Sequence, residues 1–290
     1  MLLLTGTLPI EDRSVVVGQI KYDGRSLSLG DRTLPSSLIS VGATAMMAAS
    51  ASTAEAMEIE PPIGVIAGDL GQGDGSASIY SYLTEEAGTL GASALTMHYI
   101  LPIRKGFMEF IEMLDYWERK PFMIADAGSM LIAKATGTCG KFDLFTPDAG
   151  EICFLADPDA GHPAYVKSML FEIDTTEVPR LIQEAYSHGN SPRYLLVKGP
   201  VDFIVDGGKI VYTLAEPNIP ALEPIGGTGD TITGIVSALI SGGYEPTKAC
   251  LMAAKANRLA GQMANPTPAT HVSEIVRHIG VAVRSVAGSI

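Results

Sequence analysis

Pro224-Ile225-Gly226-Gly227-Thr228-Gly229-Asp230 runs directly into Thr231-Ile232-Thr233-Gly234-Ile235-Val236-Ser237-Ala238-Leu239-Ile240. A glycine-rich loop here opens an apolar helix, and an acid sits at the junction. Glycines let bare backbone approach a ligand closely. The first N–H groups of a helix have no partner within it, so such a junction is ready to take an anion. Asp230 is out of place beside an anion unless it has a task. One such task is taking the proton of a hydroxyl that attacks a phosphate. The alternative is that Asp230 only complements the dipole at a helix start.

Outward from this junction the chain alternates strand and helix. Buried strands are expected at residues 63–67, 94–99, 122–125, 142–145 and 194–197, with helices at 76–90, 105–116, 130–135, 149–155 and 177–187. A hairpin at 203–205 and 210–212 turns through Asp206-Gly207-Gly208-Lys209, and three helices follow at 228–240, 246–263 and 272–286. Such alternation implies a mostly parallel sheet covered on both faces, an α/β fold of three layers. Its ligands bind beyond the carboxyl ends of the strands. Ahead of the alternation, residues 15–20 and 26–29 flank Asp23-Gly24, a hairpin turn signal. An Ala/Met/Ser-rich stretch at 36–52 reads as a buried helix starting at Pro35-Ser36-Ser37. The expectation is one domain over 1–290, with 1–35 as a hairpin extension. Residues 157–163, with two Asp-led turns and a proline, are the expected mobile loop.

The 290 residues are 47% hydrophobic and 18% charged, enough for a sizeable core. A net charge of -12 argues against nucleic acid or an anionic membrane as partner, because both favour basic surface. An anionic small substrate would need local positive potential from helix N-termini, a lysine or a metal. Cys139, Cys153 and Cys250 are scattered without metal spacing, which fits isolated thiols in a reducing, cytoplasmic setting. No apolar run is long enough to span a bilayer.

Several further residues fall at expected strand ends. Gly68-Asp69-Leu70-Gly71-Gln72-Gly73-Asp74-Gly75-Ser76 follows a strand and opens a helix, and reads as a ligand loop or a turn. Its glycine spacing is not that of a dinucleotide-binding fingerprint. Asp126 ends a strand, either as a helix N-cap or as an acid near metal or phosphate. Glu151 in Thr146-Pro147-Asp148-Ala149-Gly150-Glu151 suits a magnesium ion held through water. Lys198 in Val197-Lys198-Gly199 needs an anion, either a phosphate or a salt bridge to Asp202 or Asp206. His98, His162, His188, His271 and His278 show no metal-ligand spacing. His98, at a strand end, is the least bland of them.

Taken in order, Thr146-Pro147-x-x-Gly150-Glu151, Val197-Lys198-Gly199 and Gly226-Gly227-Thr228-Gly229-Asp230 resemble the ribokinase-like superfamily over roughly half the chain. Within it they are most similar to the carbohydrate-kinase-like domain of the nucleotide-dependent NAD(P)H-hydrate dehydratases. Hydroxyethylthiazole and hydroxymethylpyrimidine kinases are near relatives. The resemblance implies an ATP or ADP site with Mg2+ near the helix after the loop, and Asp230 as the base that deprotonates the acceptor hydroxyl. Gly227, Thr228 and Gly229 would form the anion hole. Lys198, Gly226, Gly229 and Asn257 would border the nucleotide. Gly71, Gly73, Asp126 and Asp148 would border the substrate, and Glu151 would act on magnesium through water.

Two positions depart from the family pattern. Asp148 stands where the dehydratases usually have histidine, and Asp202 where they have threonine. A carboxylate beside a nucleotide phosphate is repulsive without a metal. Three readings are thereby open: phosphoryl transfer to the hydrate of NADH or NADPH, phosphorylation of a small alcohol, and nucleotide binding without catalysis. The hairpin and the Ala/Met-rich helix allow for a homo-oligomer.

Overall fold

The computed structural model describes residues 1–161 and 175–289. The expected mobile loop at 157–163 therefore runs out of the described residues, as does His162. In chain order the strands are β1 (Leu2–Leu8), β2 (Val16–Tyr22), β3 (Ser26–Leu29), β4 (Arg32–Pro35), β5 (Ile63–Gly68), β6 (Ala94–Met97), β7 (Phe122–Ala125), β8 (Leu144–Phe145), β9 (Tyr194–Val197), β10 (Asp202–Asp206) and β11 (Lys209–Leu214). The helices are α1 (Ala43–Ala56), α2 (Asp74–Glu85), α3 (Arg104–Met113), α4 (Gly128–Ala135), α5 (Ala149–Ala156), α6 (Val178–Ser187), α7 (Thr228–Ser241), α8 (Pro246–Met263) and α9 (Val272–Ala287).

The strands form one sheet in the order β11-β10-β9-β8-β7-β6-β1-β5-β2-β3-β4. Its centre, from β9 to β5, is parallel. The two flanks are antiparallel additions. Alternate residues of each central strand serve opposite cores. Leu2, Leu4, Ile66, Ile124 and Leu196 pack under α1, α7, α8 and α9. Leu3, Ala67, Leu95, Met123 and Leu195 pack under α2 to α6. This double burial is why the central strands read as unbroken apolar runs. The result is the expected three-layer α/β/α arrangement. Among the described residues no helix is long and apolar enough to cross a membrane.

Two boundaries differ from expectation. Residues 1–35 are not all an extension: Leu2–Leu8 is a central strand between β5 and β6, and only β2 to β4 form the added edge. A short apolar run at a chain end carries no signal of where in a sheet it will pair. The helix expected from residue 36 is also split. Ser36–Leu38 make one 3-10 turn, and α1 begins only at Ala43. Gly42, its N-cap, has φ 78, which no continuing helix could pass through. α1 is Ala/Ser-rich because α7 lies against its backbone. A Cβ on Gly234 would sit 2.2 Å from the Met46 carbonyl oxygen.

Candidate active site

Four adjacent parallel strands each end on a polar residue one step past their last paired position. They are His98 after β6, Asp126 after β7, Thr146 after β8 and Lys198 after β9. All four lie at the carboxyl edge of the sheet. α7 brings Asp230 to the same edge, because the Gly226–Gly227 turn aims its N-terminus there. Gly227 is the N-cap with φ 96, and a Cβ on it would meet Val272 at 3.1 Å.

These residues form one network. Asp230 is buried, with His98 Nε2 at 2.8 Å from Oδ1 and the Gly42 N–H donating to Oδ2 at 2.5 Å. Asp126 accepts from Lys198 Nζ at 3.0 and 2.9 Å, from the Thr233 hydroxyl at 2.5 Å and from the Ala127 N–H at 2.9 Å. Thr146 and Thr233 share a hydrogen bond at 3.0 Å. Lys198 also lies along the first turn of α7, where a Cβ on Gly229 would be 3.5 Å from Nζ. The Lys198 ammonium is thus paired with Asp126, and neither Asp202 nor Asp206 is its partner. Asp202 binds Arg258 at 2.7 Å and Asp206 binds Arg193 at 2.8 Å. The carboxylate at 202 is therefore turned into a buried ion pair. The N-cap alternative for Asp126 is not what forms either, since Ala127 occupies the cap of α4 without a side-chain bond.

Glu151 and Asp148 form a capping box at the start of α5. The Glu151 N–H donates to Asp148 Oδ1 at 2.8 Å, and the Asp148 N–H to Glu151 Oε2 at 2.9 Å. Burial against the strand ends, together with the nearby Asp126 charge, pushes the Glu151 carboxyl up to about 8, against the pull of Lys198. Lys198 is held above its usual range. Desolvation works against its charge, but Asp126, Glu151 and Asp230 outweigh that. Burial would also raise Asp230, yet the His98 hydrogen bond and charge, the Gly42 N–H and Lys198 hold its carboxyl below the ordinary range.

The other proposed contacts fall elsewhere. Asn257, on α8, is buried behind α7. It accepts from the Thr231 hydroxyl at 2.6 Å and donates to the Thr228 carbonyl at 3.1 Å, so it braces the first turn of α7. Gly226 is exposed beside Val41, where a Cβ would lie 2.6 Å from Val41 Cγ1. The Gly68–Gly75 loop does not present free amides. Asp69 Oδ1 accepts the N–H groups of Gly71, Gln72 and Gly73 at 2.9, 3.0 and 3.0 Å, and Oδ2 accepts from the Ser76 N–H and hydroxyl.

Sequence reasoning did not bring out Gly42, Tyr99, Thr146 or Thr233, and it left His98 without a partner. Tyr99 carries φ 52, and its ring meets His98 edge-on at 4.7 Å between centroids. Burial and the charges of Asp230, Asp126 and Glu151 raise its phenol, which places it on the rim of the same cluster. A positive φ in a non-glycine residue cannot be read from composition. A run of polar residues one step past successive expected strands was the available signal for His98 and Thr146.

The fold and this strand-end site define a ribokinase-like protein. Hydroxyethylthiazole kinase from Pyrococcus horikoshii superposes with TM-score 0.57 at 17% identity, covering 100% of this chain and 91% of that one. Pyridoxal kinase from Bacillus subtilis superposes with TM-score 0.55 at 14% identity, over 87% and 88% of the two chains. Residues 111–279 match the NAD(P)H-hydrate dehydratase (carbohydrate kinase) family, and the chain belongs to it. An uncharacterised protein of Methanocaldococcus jannaschii is 43% identical over 76% of this chain and 90% of its own length. The ADP-dependent (S)-NAD(P)H-hydrate dehydratase of Cenarchaeum symbiosum is 32% identical over 51% of this chain, a match that spans 46% of that relative.

Proposed function

We propose that the protein is a nucleotide-dependent NAD(P)H-hydrate dehydratase that works by phosphoryl transfer. The observation that carries this is the placement of Asp230. It is a buried carboxylate, held ionised, on the first turn of a helix whose leading N–H groups have no intrahelical partners. The substrate is the hydrate of NADH or NADPH. Asp230 takes the proton of the ring hydroxyl as its oxygen attacks the terminal phosphoryl group of ATP or ADP. The N–H groups at Gly227, Thr228 and Gly229 face the charge that develops. The phosphorylated oxygen then leaves as phosphate, a ring proton departs with it, and the dinucleotide is restored.

The residues present suit a magnesium ion bound through water. Glu151 uses Oε2 for the Asp148 N–H, which leaves Oε1 for a metal-bound water. Asp126, Glu151 and Asp230 together also outnumber Lys198, so a polyphosphate needs a cation beside it. Magnesium supplies neutralisation of phosphate charge there. Three buried free thiols fit a reducing, cytoplasmic location. Lys198 joins the phosphates from the side of Gly229, and Asp148 lies exposed at the mouth, where its departure from histidine would tune substrate choice.

The same geometry would phosphorylate a small alcohol, and the ribokinase-like kinases among the structural neighbours keep that reading in play. The two are separated by turnover with ATP and ADP against NADHX, NADPHX and a panel of small alcohols, read as restored NAD(P)H absorbance or as phosphorylated product. Restored NAD(P)H supports the dehydratase. Phospho-alcohol alone overturns it in favour of the kinase, and binding without turnover leaves only the nucleotide-binding alternative.

A further inference from the structure

We infer that His98 is a positioning residue for Asp230, setting the direction in which that carboxylate meets an acceptor hydroxyl. The inference rests on the reading of Asp230 as the base. The His98 ring is fully buried at the end of β6, and its only hydrogen bond is from Nε2 to Asp230 Oδ1, at 2.8 Å. Asp126 Oδ2 is the next acceptor, at 3.9 Å. Nδ1 is buried with no partner. A histidine kept only to fill the core would be expected to satisfy both nitrogens, since an orphaned buried polar atom costs about 1–3 kcal/mol. Here that cost is accepted, and the single bond is spent on Asp230.

The carboxylate is gripped from two elements other than its own helix. His98 comes from the end of β6, and the Gly42 N–H from the cap of α1 at 2.5 Å. Each carboxylate oxygen can accept two hydrogen bonds, so one lone pair on each is left for a substrate. Because a carboxylate oxygen can only accept, Nε2 carries the hydrogen. The ring is itself braced by Tyr99, edge-on at 4.7 Å. Tyr99 holds its left-handed φ of 52 while its carbonyl takes the Thr7 N–H and hydroxyl. His98 also settles a competition. Lys198 acts on Asp126, Glu151 and Asp230 alike, yet its contact is with Asp126. With Nε2 on Asp230, that carboxylate has a neighbour other than the lysine. Without it, Asp230 would swing toward Lys198 and away from the hydroxyl.

Two substitutions separate positioning from packing. The amide nitrogen of glutamine reaches the place of Nε2, whereas that of asparagine reaches only the place of Nδ1. His98→Asn is expected to lower kcat on NADHX about 10- to 100-fold, the scale of a misplaced reacting group. KM and nucleotide affinity by calorimetry should stay within about threefold. His98→Gln should return kcat to within about fivefold of the wild type. Equal losses in both variants, or losses confined to KM or to melting temperature, would overturn the assignment. A second measurement needs no turnover. Nitrogen-15 NMR should identify, by its absence in His98→Gln, an imidazole protonated at Nε2 whose signal moves in Asp230→Asn. An Nδ1–H tautomer, or a signal indifferent to Asp230→Asn, would also sink it. A wild type inactive on every substrate would instead sink the proposed function, and the NMR result would still decide the His98–Asp230 contact.

Discussion

The two glycine-rich loops of this chain look alike on paper and do opposite things with their acids. Both follow the sheet's carboxyl edge and both open a helix through a left-handed glycine, Gly73 with φ 91 and Gly227 with φ 96. In the first loop Asp69 turns inward and takes three backbone N–H groups on one oxygen and Ser76 on the other. It fills the concavity that a phosphate would otherwise fill. In the second, Asp230 is drawn aside by His98 and Gly42, and the leading amides of α7 are left open. A glycine-rich loop with an acid is therefore not a phosphate site by composition. What decides is whether a donor from elsewhere in the fold holds the acid away from the amides.

The largest expected effect tests that contrast directly. Asp230→Asn should lower turnover about a thousandfold, a general-base loss combined with misplacement, with nucleotide binding nearly unchanged. Asp69→Asn should leave turnover within about threefold. Parallel steady-state assays and calorimetry check both. Comparable losses from the two acids would erase the distinction between the loops, and retained turnover in Asp230→Asn would remove Asp230 from the chemistry. Next in size is Glu151→Gln, which keeps an acceptor for the Asp148 N–H but removes the charge. The magnesium concentration for half-activation should rise about 10- to 100-fold, read from a magnesium titration of initial rates. An unmoved titration would show that the metal is held elsewhere.

How far these features could be read in advance depended on whether their partners were local. The loop at 226–230, the capping acids at 148 and 151, and the strand-end Lys198 are each legible because strand, turn and helix signals lie within a few residues. The alternation of strands and helices likewise gave the layers, and α8 begins and ends where its pattern does. Distant pairings were not legible. His98 and Asp230 are 132 residues apart, and Gly42 and Asp230 are 188 apart. The Gly42 contribution is a backbone N–H, which no residue type advertises. Asp202 looked hostile to a nucleotide only because its partner, Arg258, lies 56 residues on. Leu2–Leu8 carried a strand's composition without any sign that three long-range pairing choices would place it at the centre of the sheet. Asp69 sits inside its own loop, yet its role was hidden too, since inward and outward carboxylates have the same sequence.

Asp69 also sets a smaller, pH-dependent effect. Burial opposes its charge, but the N–H groups of Gly73, Ser76 and Gly71 and the Ser76 hydroxyl hold its carboxyl below the ordinary range. A carboxyl depressed in the folded state stabilises the fold above the unfolded value, near pH 3.9, and loses that contribution as pH falls through the lower, folded value. Asp69→Ala should therefore cost about 1–3 kcal/mol near neutrality, the scale of several amides left without their acceptor. The gap to wild type should narrow as the pH drops below 4. Denaturant unfolding at pH 7 and at pH 3 measures this, and a gap independent of pH would mean the carboxylate charge does not hold the loop.

The smallest expected effect is at Gly229, and it asks whether the open amides of α7 are open for a ligand. Its backbone is helical, and a Cβ there would meet only Lys198, at 3.5 to 3.7 Å, an ordinary contact. Gly229→Ala thus carries no steric penalty within the protein. A glycine replaced where the new residue fits without strain stabilises by about 0.4–1 kcal/mol. The melting temperature should hold or rise by roughly 1–3 °C. The methyl group would nevertheless stand between Lys198 and the face from which a phosphoryl group approaches. ATP and ADP affinity should fall several-fold in the same variant that melts no lower. Loss of affinity without loss of stability would mark Gly229 as a glycine kept for a ligand's approach. An unchanged affinity would mean that the nucleotide's phosphates do not reach this turn, and the contrast between the two loops would then concern only how each helix is started.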